Sequence, residues 1–537
     1  MSMAMKRIIY ILSSISLCLT ACSGFDDMNK NPYVMYDSEA QAQVQTIVYN
    51  TEYGLVGSAQ ALVGELMQYT VNTDTEITAN MAYNYSISES ATVRIWQRLY
   101  VQAGNAEYML AKAREEGNPT MIGVALALRA FIYTNIADTY GNVPYYDACN
   151  LVFQKDNLTY VTTYDDMESI YKDIFLTLEQ ANESFNVEGA TDFDPICDYM
   201  YDGSKDKWQR FSNTLYLRLL MRVALKVEEQ YGGVLPLNDE VSLDVNAKIA
   251  ELWECFNGRA DSYPMMRNAS DAAVVEFSTT DAALVTPFYT TTQGTWTAQK
   301  ICRTLMEKLY DKTKGLEDPR WRYYSTRNKG CPPQYEKTAL DVWMSENTGI
   351  GRLPYGAADA KYNIQNCDHY AMLNYSEVLF IFAEAAVREY ITLSFPDIRQ
   401  LYLDAIAASV MEWNKEISAG SDQMKDFLAI HENEIKVDNS LEKIMEQKWI
   451  SMFFVGIESW CDYRRTGYPV LVTNGPAAEN FEILPTRMRY PADEAYRNME
   501  SFAAAVNGWL GGENNMTTEV WWADTKVSVN KRKEGRK

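Results

Sequence analysis

Acid–base chemistry in this 537-residue chain would have to rest on carboxylates, since it has 72 Asp and Glu but only two histidines, His369 and His431. Glycoside hydrolysis needs two carboxyl groups at a set separation, and so many acids create candidate pairs by chance. Asp138 and Glu384 stand in predicted helices, where ion pairing explains them. No G-x-S-x-G, H-E-x-x-H or phosphate-binding glycine loop occurs. The sequence therefore favours a protein that is not an enzyme, without a metal centre or cofactor.

A different chemistry is indicated near the N-terminus, at Cys22. Basic residues at positions 6 and 7 precede a mostly apolar stretch, 8–19, which is shorter than the about 20 residues that span a bilayer. Leu19-Thr20-Ala21-Cys22 resembles the lipobox of bacterial lipoproteins, in which the cysteine sulfur carries a diacylglycerol. We therefore expect residues 1–21 to be a cleaved signal peptide and Cys22 to be lipidated. The alternative is an ordinary signal peptide with an accidental cysteine.

The net charge of the chain limits the classes of partner that it can bind. With 49 basic against 72 acidic side chains, the net charge is −23 and the pI about 4.7. Nucleic acids are bound mainly through Lys and Arg, and the only basic cluster is the terminal run 531–537, so we expect no nucleic-acid partner. Asp26-Asp27, just after Cys22, resembles the signal that sends some lipoproteins to the outer face of the outer membrane.

The other cysteines do not form a recognisable metal or redox motif. No C-x-x-C pair occurs, and seven cysteines remain besides Cys18 and Cys22. At least one of the seven is unpaired, because the number is odd. Buried free thiols are favoured in a chain this large, although export to an oxidising compartment leaves a disulfide open.

Apolar residues recur with helical spacing over much of the chain, which predicts a mainly helical protein. Any functional site must therefore be positioned by helices. From 164 to 185 the apolar steps alternate between three and four, and Thr163 with Asp166 predicts a capping box at the start. Asn118-Pro119 and Gly141 bracket a segment that is apolar nearly all round. The predicted helices are 93–115, 121–138, 163–185, 208–229, 373–390, 396–417 and 441–454. Their succession with short turns suggests antiparallel pairs of the tetratricopeptide kind.

Two long stretches without periodicity, about 235–299 and 323–366, interrupt the helical blocks. Such stretches are uncommon unless they fold against a scaffold and carry function. Aromatic rings beside Asn, Gln and Thr suit sugars, because pyranose C–H groups stack on the rings while hydroxyls bond the polar groups. Each ring alone would more often be ordinary packing. The predicted ligand-binding residues are loop aromatics. Tyr83 and Tyr85 lie in the loop 80–85, just after the acidic polar run 73–76, and Tyr289, Trp296 and Trp343 lie in the two long stretches.

Several blocks together resemble the SusD/RagB-type outer-membrane lipoproteins, in particular the SusD-like subgroup associated with starch binding. The resemblance extends over nearly the whole mature chain. It is carried by Phe25 to Pro32, Leu128 to Tyr145, Lys207 to Leu219, Leu373 to Ala386, Glu446 to Pro469, Leu484 to Pro491 and Trp521-Trp522.

This resemblance implies one SusD-like domain over residues 22–537 with a mainly α fold. In it, tetratricopeptide-like helix pairs carry a loop-rich ligand-binding subdomain, with insertions around 235–299 and 323–366. It implies a lipid-anchored protein on the cell exterior, which captures oligosaccharides and closes over a SusC-like TonB-dependent outer-membrane transporter. Some relatives bind peptides, so a peptide-binding lipoprotein is an alternative, and a surface glycoside hydrolase is a weaker one. Most motif residues are expected to be structural, closing buried ion pairs and helix ends: Arg129, Asp138, Arg218, Arg464 and Arg465.

Overall fold

The computed structural model describes residues 38–74, 81–149, 161–278, 281, 284–288, 298–366, 370–472 and 484–523. Within these ranges the chain is mainly helical, as the sequence predicts. The helices are α1 Val44–Gly54, α2 Gln60–Leu66, α3 Glu89–Glu116, α4 Pro119–Tyr140, α5 Met167–Asn186, α6 Lys205–Tyr231, α7 Val245–Phe256, α8 Arg303–Leu309, α9 Trp321–Tyr324, α10 Lys337–Glu346, α11 Tyr375–Val387, α12 Phe395–Trp413, α13 Asp422–Glu434, α14 Ser440–Ser451, α15 Glu458–Thr466, α16 Glu494–Arg497 and α17 Met499–Gly508. All seven helices predicted above are confirmed, as α3 to α6, α11, α12 and α14.

The pair α3 and α4 shows how the scaffold is built. Gly117 ends α3 in the left-handed region (φ +65°), which a residue without a Cβ adopts at little cost. Asn118 then caps α4 by accepting the N–H of Met121 at 3.1 Å, and Pro119 occupies the first turn. This two-residue link folds the helices back on each other as an antiparallel pair.

Helix α4 is the central core helix. Its length and mean hydropathy of 1.5 would suit a membrane span, but 89% of its apolar window is buried inside the protein. Helices α3, α5 and α6 all pack against it. An apolar surface on every side is what a helix surrounded by other helices requires.

The start of α5 differs from the prediction in one detail. The helix begins at Met167, and Asp166 alone caps it by accepting the N–H of Ser169 at 2.9 Å. Thr163 lies outside the helix, so the predicted capping box is wrong. Asp is a favourable N-cap residue because its carboxylate accepts hydrogen bonds from the free N–H groups of the first turn. The negative charge also interacts favourably with the positive end of the helix dipole.

Buried ion pairs join the core helices, as expected for most of the motif arginines. Arg222 of α6 contacts both Asp138 of α4 and Glu458 of α15, while Arg218 bonds Glu377 of α11 at 2.5 Å. All five side chains are at most 6% exposed. Charges buried this deeply are stable only when they are paired, so the network fixes the relative placement of four helices.

The remaining motif arginines are also structural. Arg465 pairs with Glu384 and with Asp462, the latter at 2.7 Å, and Arg129 pairs with Glu107 at 2.6 Å. Arg464 differs, because its guanidinium bonds two backbone carbonyls, those of Asp138 (2.7 Å) and Thr486 (2.9 Å). Arg464 therefore forms hydrogen bonds to carbonyl groups, one of them near the C-terminal end of α4, and not an ion pair.

In the described part of the chain, four two-stranded antiparallel sheets lie among the helices. The strands are β1 Thr70–Asn72, β2 Val234–Pro236, β3 Ser242–Asp244, β4 Ala273–Val274, β5 Gln299–Ile301, β6 Tyr310–Asp311, β7 Leu316–Glu317 and β8 Ala371–Leu373, paired as β1 with β5, β2 with β3, β4 with β8 and β6 with β7. The pairs β1–β5 and β4–β8 join segments distant in sequence and tie the first predicted irregular stretch to the scaffold. Isolated bridges of Lys300 with Arg352 and of Cys302 with Cys331 do the same for the second stretch. The expectation that these stretches lack regular structure is wrong in part, because α7 and α10 lie within them.

The cysteines described by the structure are free thiols: Cys255, Cys302, Cys331 and Cys461 are buried, and Cys149 and Cys197 are half-buried. Burial raises the pKa of Cys302 to about 11 and that of Cys461 to about 12. Thiols held neutral in this way react slowly as nucleophiles. Cys367 lies outside the described residues.

Candidate functional site

A small apolar cluster separate from the main core positions the site. It lies between the β1–β5 sheet and helix α10, and half-buried side chains that include Trp343 pack around it. The fully buried members are Val71, Tyr83, Cys302, Cys331 and Leu340. The cluster holds α10 against the sheet, and α10 carries the one predicted ligand-binding residue with a partly accessible ring among those that the structure describes.

Helix α10 is fixed at its start and in its middle. The Glu336 carboxylate caps it by accepting the N–H groups of Thr338 at 3.0 Å and Ala339 at 3.3 Å, and these bonds lower its pKa. Leu340 is completely buried in the small cluster. Trp343 follows three residues later, on the same side of the helix, so its ring lies at the edge of the cluster, half-buried.

Polar and cationic groups surround the Trp343 ring. The guanidinium carbon of Arg303 lies 5.6 Å from the ring centroid and the Lys329 Nζ 6.0 Å from it. Lys329 also donates to Asn347 Oδ1 at 3.2 Å, and the Asn347 amide donates to the Trp343 carbonyl at 2.9 Å. We call Trp343, Arg303, Lys329 and Asn347 the Trp343 site. It combines a partly accessible apolar ring with N–H donors, which is what a sugar ring with its hydroxyls can use.

Sequence analysis identified only one of the four residues of the Trp343 site. Arg303 opens helix α8, Lys329 lies in a segment without regular structure, and Asn347 follows the end of α10. Their polar character is common to many exposed side chains. The bond from the Gly351 N–H to the Lys329 carbonyl (2.8 Å) and that from the Arg303 N–H to the Cys331 carbonyl (2.7 Å) bring these segments together. No local pattern could have indicated this.

Tyr83 and Tyr85 are placed differently from the prediction. Their rings are 0% and 7% exposed, because the turn 81–86 folds Tyr83 into the small cluster and Tyr85 into the main core. The backbone of Tyr85 is left-handed (φ +67°), which breaks the alternation an extended segment would give. Neither ring presents a face to solvent in this structure, so the expectation that they lie on an open loop is wrong.

Tyr289, Trp296 and the lipidation residue Cys22 lie outside the described residues. They remain predictions.

Apart from the Trp343 site, a cavity of about 400 Å³ lies between the β4–β8 pair and the ends of α12 and α14. Glu276, Glu412, Trp413 and Phe453 are among its lining residues. Glu412 accepts bonds from the Ser376 N–H (3.0 Å) and hydroxyl (2.9 Å), and burial raises its pKa to about 7. The two aromatic rings are 4% and 1% exposed, so they offer little stacking surface.

Metal binding has no support in the described part of the chain. There, no group of three or more His, Cys, Asp and Glu side chains is placed to hold an ion. His431 is buried, with both ring nitrogens unbonded there, and burial lowers its pKa. It packs against the ring of Phe427 at 4.8 Å and serves as a core residue.

Comparison with protein families identifies the class. Residues 34–491 match the SusD-like family described as starch-binding and associating with the outer membrane. The chain therefore belongs to the SusD-like family. No curated protein sequence matches it.

Solved structures with the same fold agree with this assignment. A SusD homologue from Bacteroides fragilis has a TM-score of 0.69 at 20% identity, covering 90% of this chain and 100% of its own. A chitin-binding SusD homologue from Flavobacterium johnsoniae has a TM-score of 0.69 at 20% identity, covering 90% and 99%. A SusD homologue from Bacteroides uniformis also scores 0.69 at 20% identity, covering 91% and 100%. At this identity the likeness establishes the helical SusD-like fold.

Proposed function

We propose that this protein is a lipid-anchored, non-catalytic receptor on the outer face of the outer membrane. In this role it captures oligosaccharides and passes them to a TonB-dependent transporter. The main support is the family match over residues 34–491, whose description joins starch binding to the outer membrane. Chitin binding by a protein of the same fold is consistent with a glycan ligand.

The Trp343 site is the proposed contact region for the sugar. The Trp343 ring is partly accessible, and Leu340, buried one helical turn away, fixes the helix that carries it. Amide and cationic N–H donors lie around the ring. Tyr289 and Trp296 stay as proposed ligand contacts. Sugar hydroxyl groups need hydrogen-bond partners when they leave water. The donors beside the ring can supply these bonds, which stacking on the ring does not.

Replacing Trp343 with Ala should weaken oligosaccharide binding about tenfold. Stacking on one aromatic ring contributes about 1–3 kcal/mol in nucleic-acid systems, and we expect the same order or less here, with 1.4 kcal/mol equal to tenfold. Calorimetry against a panel of oligosaccharides measures the effect, and thermal unfolding checks that the variant is folded. Tyr496→Ala is the matched control, because this ring is 85% exposed on α16 and should bind as the unmodified protein does. Equal binding by Trp343→Ala and Tyr496→Ala would place the sugar elsewhere.

The same panel separates the alternatives. Peptides included beside the glycans test for a peptide receptor, and product analysis tests for hydrolysis. Glu276 and Glu412 line one cavity, and a pKa near 7 is suitable for a general acid. If products accumulate and Glu412→Gln abolishes them, the protein is a hydrolase and the non-catalytic proposal is wrong.

The transporter partner should co-purify with the anchored protein. A lipid tether confines both proteins to one membrane, so their effective concentration is high even when the interface is modest. Affinity purification from outer membranes in mild detergent should recover one large β-barrel protein in near-equal amount. Recovery of the lipoprotein alone, with the native transporter expressed, would favour a receptor that works without a barrel.

A further inference from the structure

Cationic side chains are concentrated around the Trp343 site, although the whole chain carries a net charge of −23. Backbone bonds join three segments there: the Ile301 N–H donates to the Gly351 carbonyl at 3.0 Å, and the Cys331 N–H to the Ile301 carbonyl at 2.7 Å. These segments bring together five cations, which we call the cationic cluster: Lys300, Arg303, Arg327, Lys329 and Arg352.

The cluster has few opposing charges. Among the described residues, Arg303, Arg327, Lys329 and Arg352 have no carboxylate within ion-pair distance, whereas the core arginines of α6 are all paired. Arg352 instead donates to the carbonyls of Leu353 (3.1 Å) and Tyr355 (2.9 Å). Unpaired cations on one surface create a local positive potential, which attracts anions that the net charge of the protein would repel.

The acids nearest in sequence to Trp343 do not cancel this potential. Asp341 pairs with Lys337, and Glu336 is engaged in capping α10. Glu346 is exposed at the far end of the helix. The cations Arg303 and Lys329 approach the Trp343 ring itself, at 5.6 and 6.0 Å.

Two half-buried cations of the cluster, Lys300 and Arg352, are neighbours. The backbones of Lys300 and Arg352 pair as antiparallel neighbours. The pKa of Lys300 is lowered, first by burial and then by Arg352, and that of Arg352 is lowered by burial. Two cations held as neighbours add to the local positive potential, which a bound anion would relieve.

We propose that the ligand of the Trp343 site is an anionic oligosaccharide, one that carries carboxylate or sulfate groups. The proposal rests on the glycan-binding function above and defines its ligand class. Trp343 stacks on a sugar ring, Asn347 bonds its hydroxyls, and Arg303 and Lys329 bind the negative groups, with guanidinium suited to bidentate contact.

Matched pairs of probes test the proposal on the full mature chain. Hexagalacturonate is compared with its methyl ester, and sulfated maltohexaose with maltohexaose, so that each pair differs in charge and shares a backbone. We expect the charged member of at least one pair to bind about tenfold more tightly or better, with the difference shrinking as salt rises. The pair that shows the difference identifies carboxylate or sulfate as the recognised group.

Charge-neutralising variants assign the effect to the cluster. Lys329→Gln and Arg303→Gln should each weaken binding of the charged probe about three- to fivefold and weaken binding of the neutral probe less, because Gln keeps an N–H donor for hydroxyl groups and loses only the charge. Lys312→Gln and Arg322→Gln are matched controls, because Lys312 lies 6.0 Å from the Tyr310 ring and Arg322 4.8 Å from the Trp321 ring, outside the cluster. Both controls should bind every probe as the unmodified protein does.

The possible outcomes separate this inference from the proposed function. If neutral probes bind as tightly as charged ones and Trp343→Ala still weakens them, the protein is a glycan receptor and the anionic ligand class is wrong. If a hexaglutamate peptide binds and no oligosaccharide does, both proposals fail. Binding of no probe also counts against both.

Discussion

Asp138→Ala should lower the free energy of unfolding by about 3–5 kcal/mol, because it removes one of the two carboxylates that pair with the buried Arg222. Asp138 is completely buried and pairs with Arg222. It also accepts bonds from the Tyr171 hydroxyl at 2.6 Å and the Trp522 ring N–H at 2.8 Å. Denaturant unfolding followed by circular dichroism measures the change, provided that the transition is two-state.

An exposed ion pair gives the matched control for this experiment. Asp493 and Arg497 are 3.3 Å apart with side chains 65% and 78% exposed. Asp493→Ala should change the free energy of unfolding by about 0–1 kcal/mol, because solvent screens such pairs. If Asp138→Ala cost no more than Asp493→Ala, the buried network would not hold the helices together.

Cys22→Ala should release the protein from the membrane almost completely. Each buried methylene of a lipid chain contributes about 0.8 kcal/mol, and several acyl chains on one cysteine together give stable anchoring. Fractionation of cells into membrane and soluble material measures the release. Added protease should also digest the unmodified protein on intact cells, if it faces the exterior.

Cys18→Ala is the control for the anchor. Cys18 lies in the same signal segment, four residues before the proposed lipid site. Because it does not stand in the lipobox position, its loss should leave the protein in the membrane fraction. Retention of Cys22→Ala in that fraction would show that something other than a lipid on Cys22 holds the protein.

The helical scaffold could be predicted because its signals are local. The apolar spacing of three and four residues, Asn118-Pro119 before α4 and Gly141 after it are all short-range patterns. The family follows from the order of motif blocks and is confirmed by the match over residues 34–491. The roles of Arg218 and Arg465 were also predictable, since a buried guanidinium needs an acid.

Helices α7 and α10 lie inside the stretches predicted to be irregular, and they show that a local sequence pattern does not by itself decide whether a short segment forms a helix. Helix α7 buries Val245, Ile249, Leu252 and Cys255, a spacing that does fit one helical face. With only 12 residues, α7 is too short to be stable by propensity alone, and its pairing with the scaffold decides its structure. Helix α10 is shorter still, with ten residues and a single fully buried anchor, Leu340.

The tertiary structure determines which residues form the candidate site. The sequence gives Tyr83 and Trp343 the same description, aromatic rings beside polar residues in poorly periodic segments, yet Tyr83 is completely buried and Trp343 is half-buried. Exposure depends on which segments cover a ring, and those segments come from elsewhere in the chain. Arg303 and Lys329 reach Trp343 through backbone bonds between segments that are far apart in sequence. Residue type therefore indicated what a ring could bind, and only the packing of distant segments determined which ring is accessible and which charges surround it.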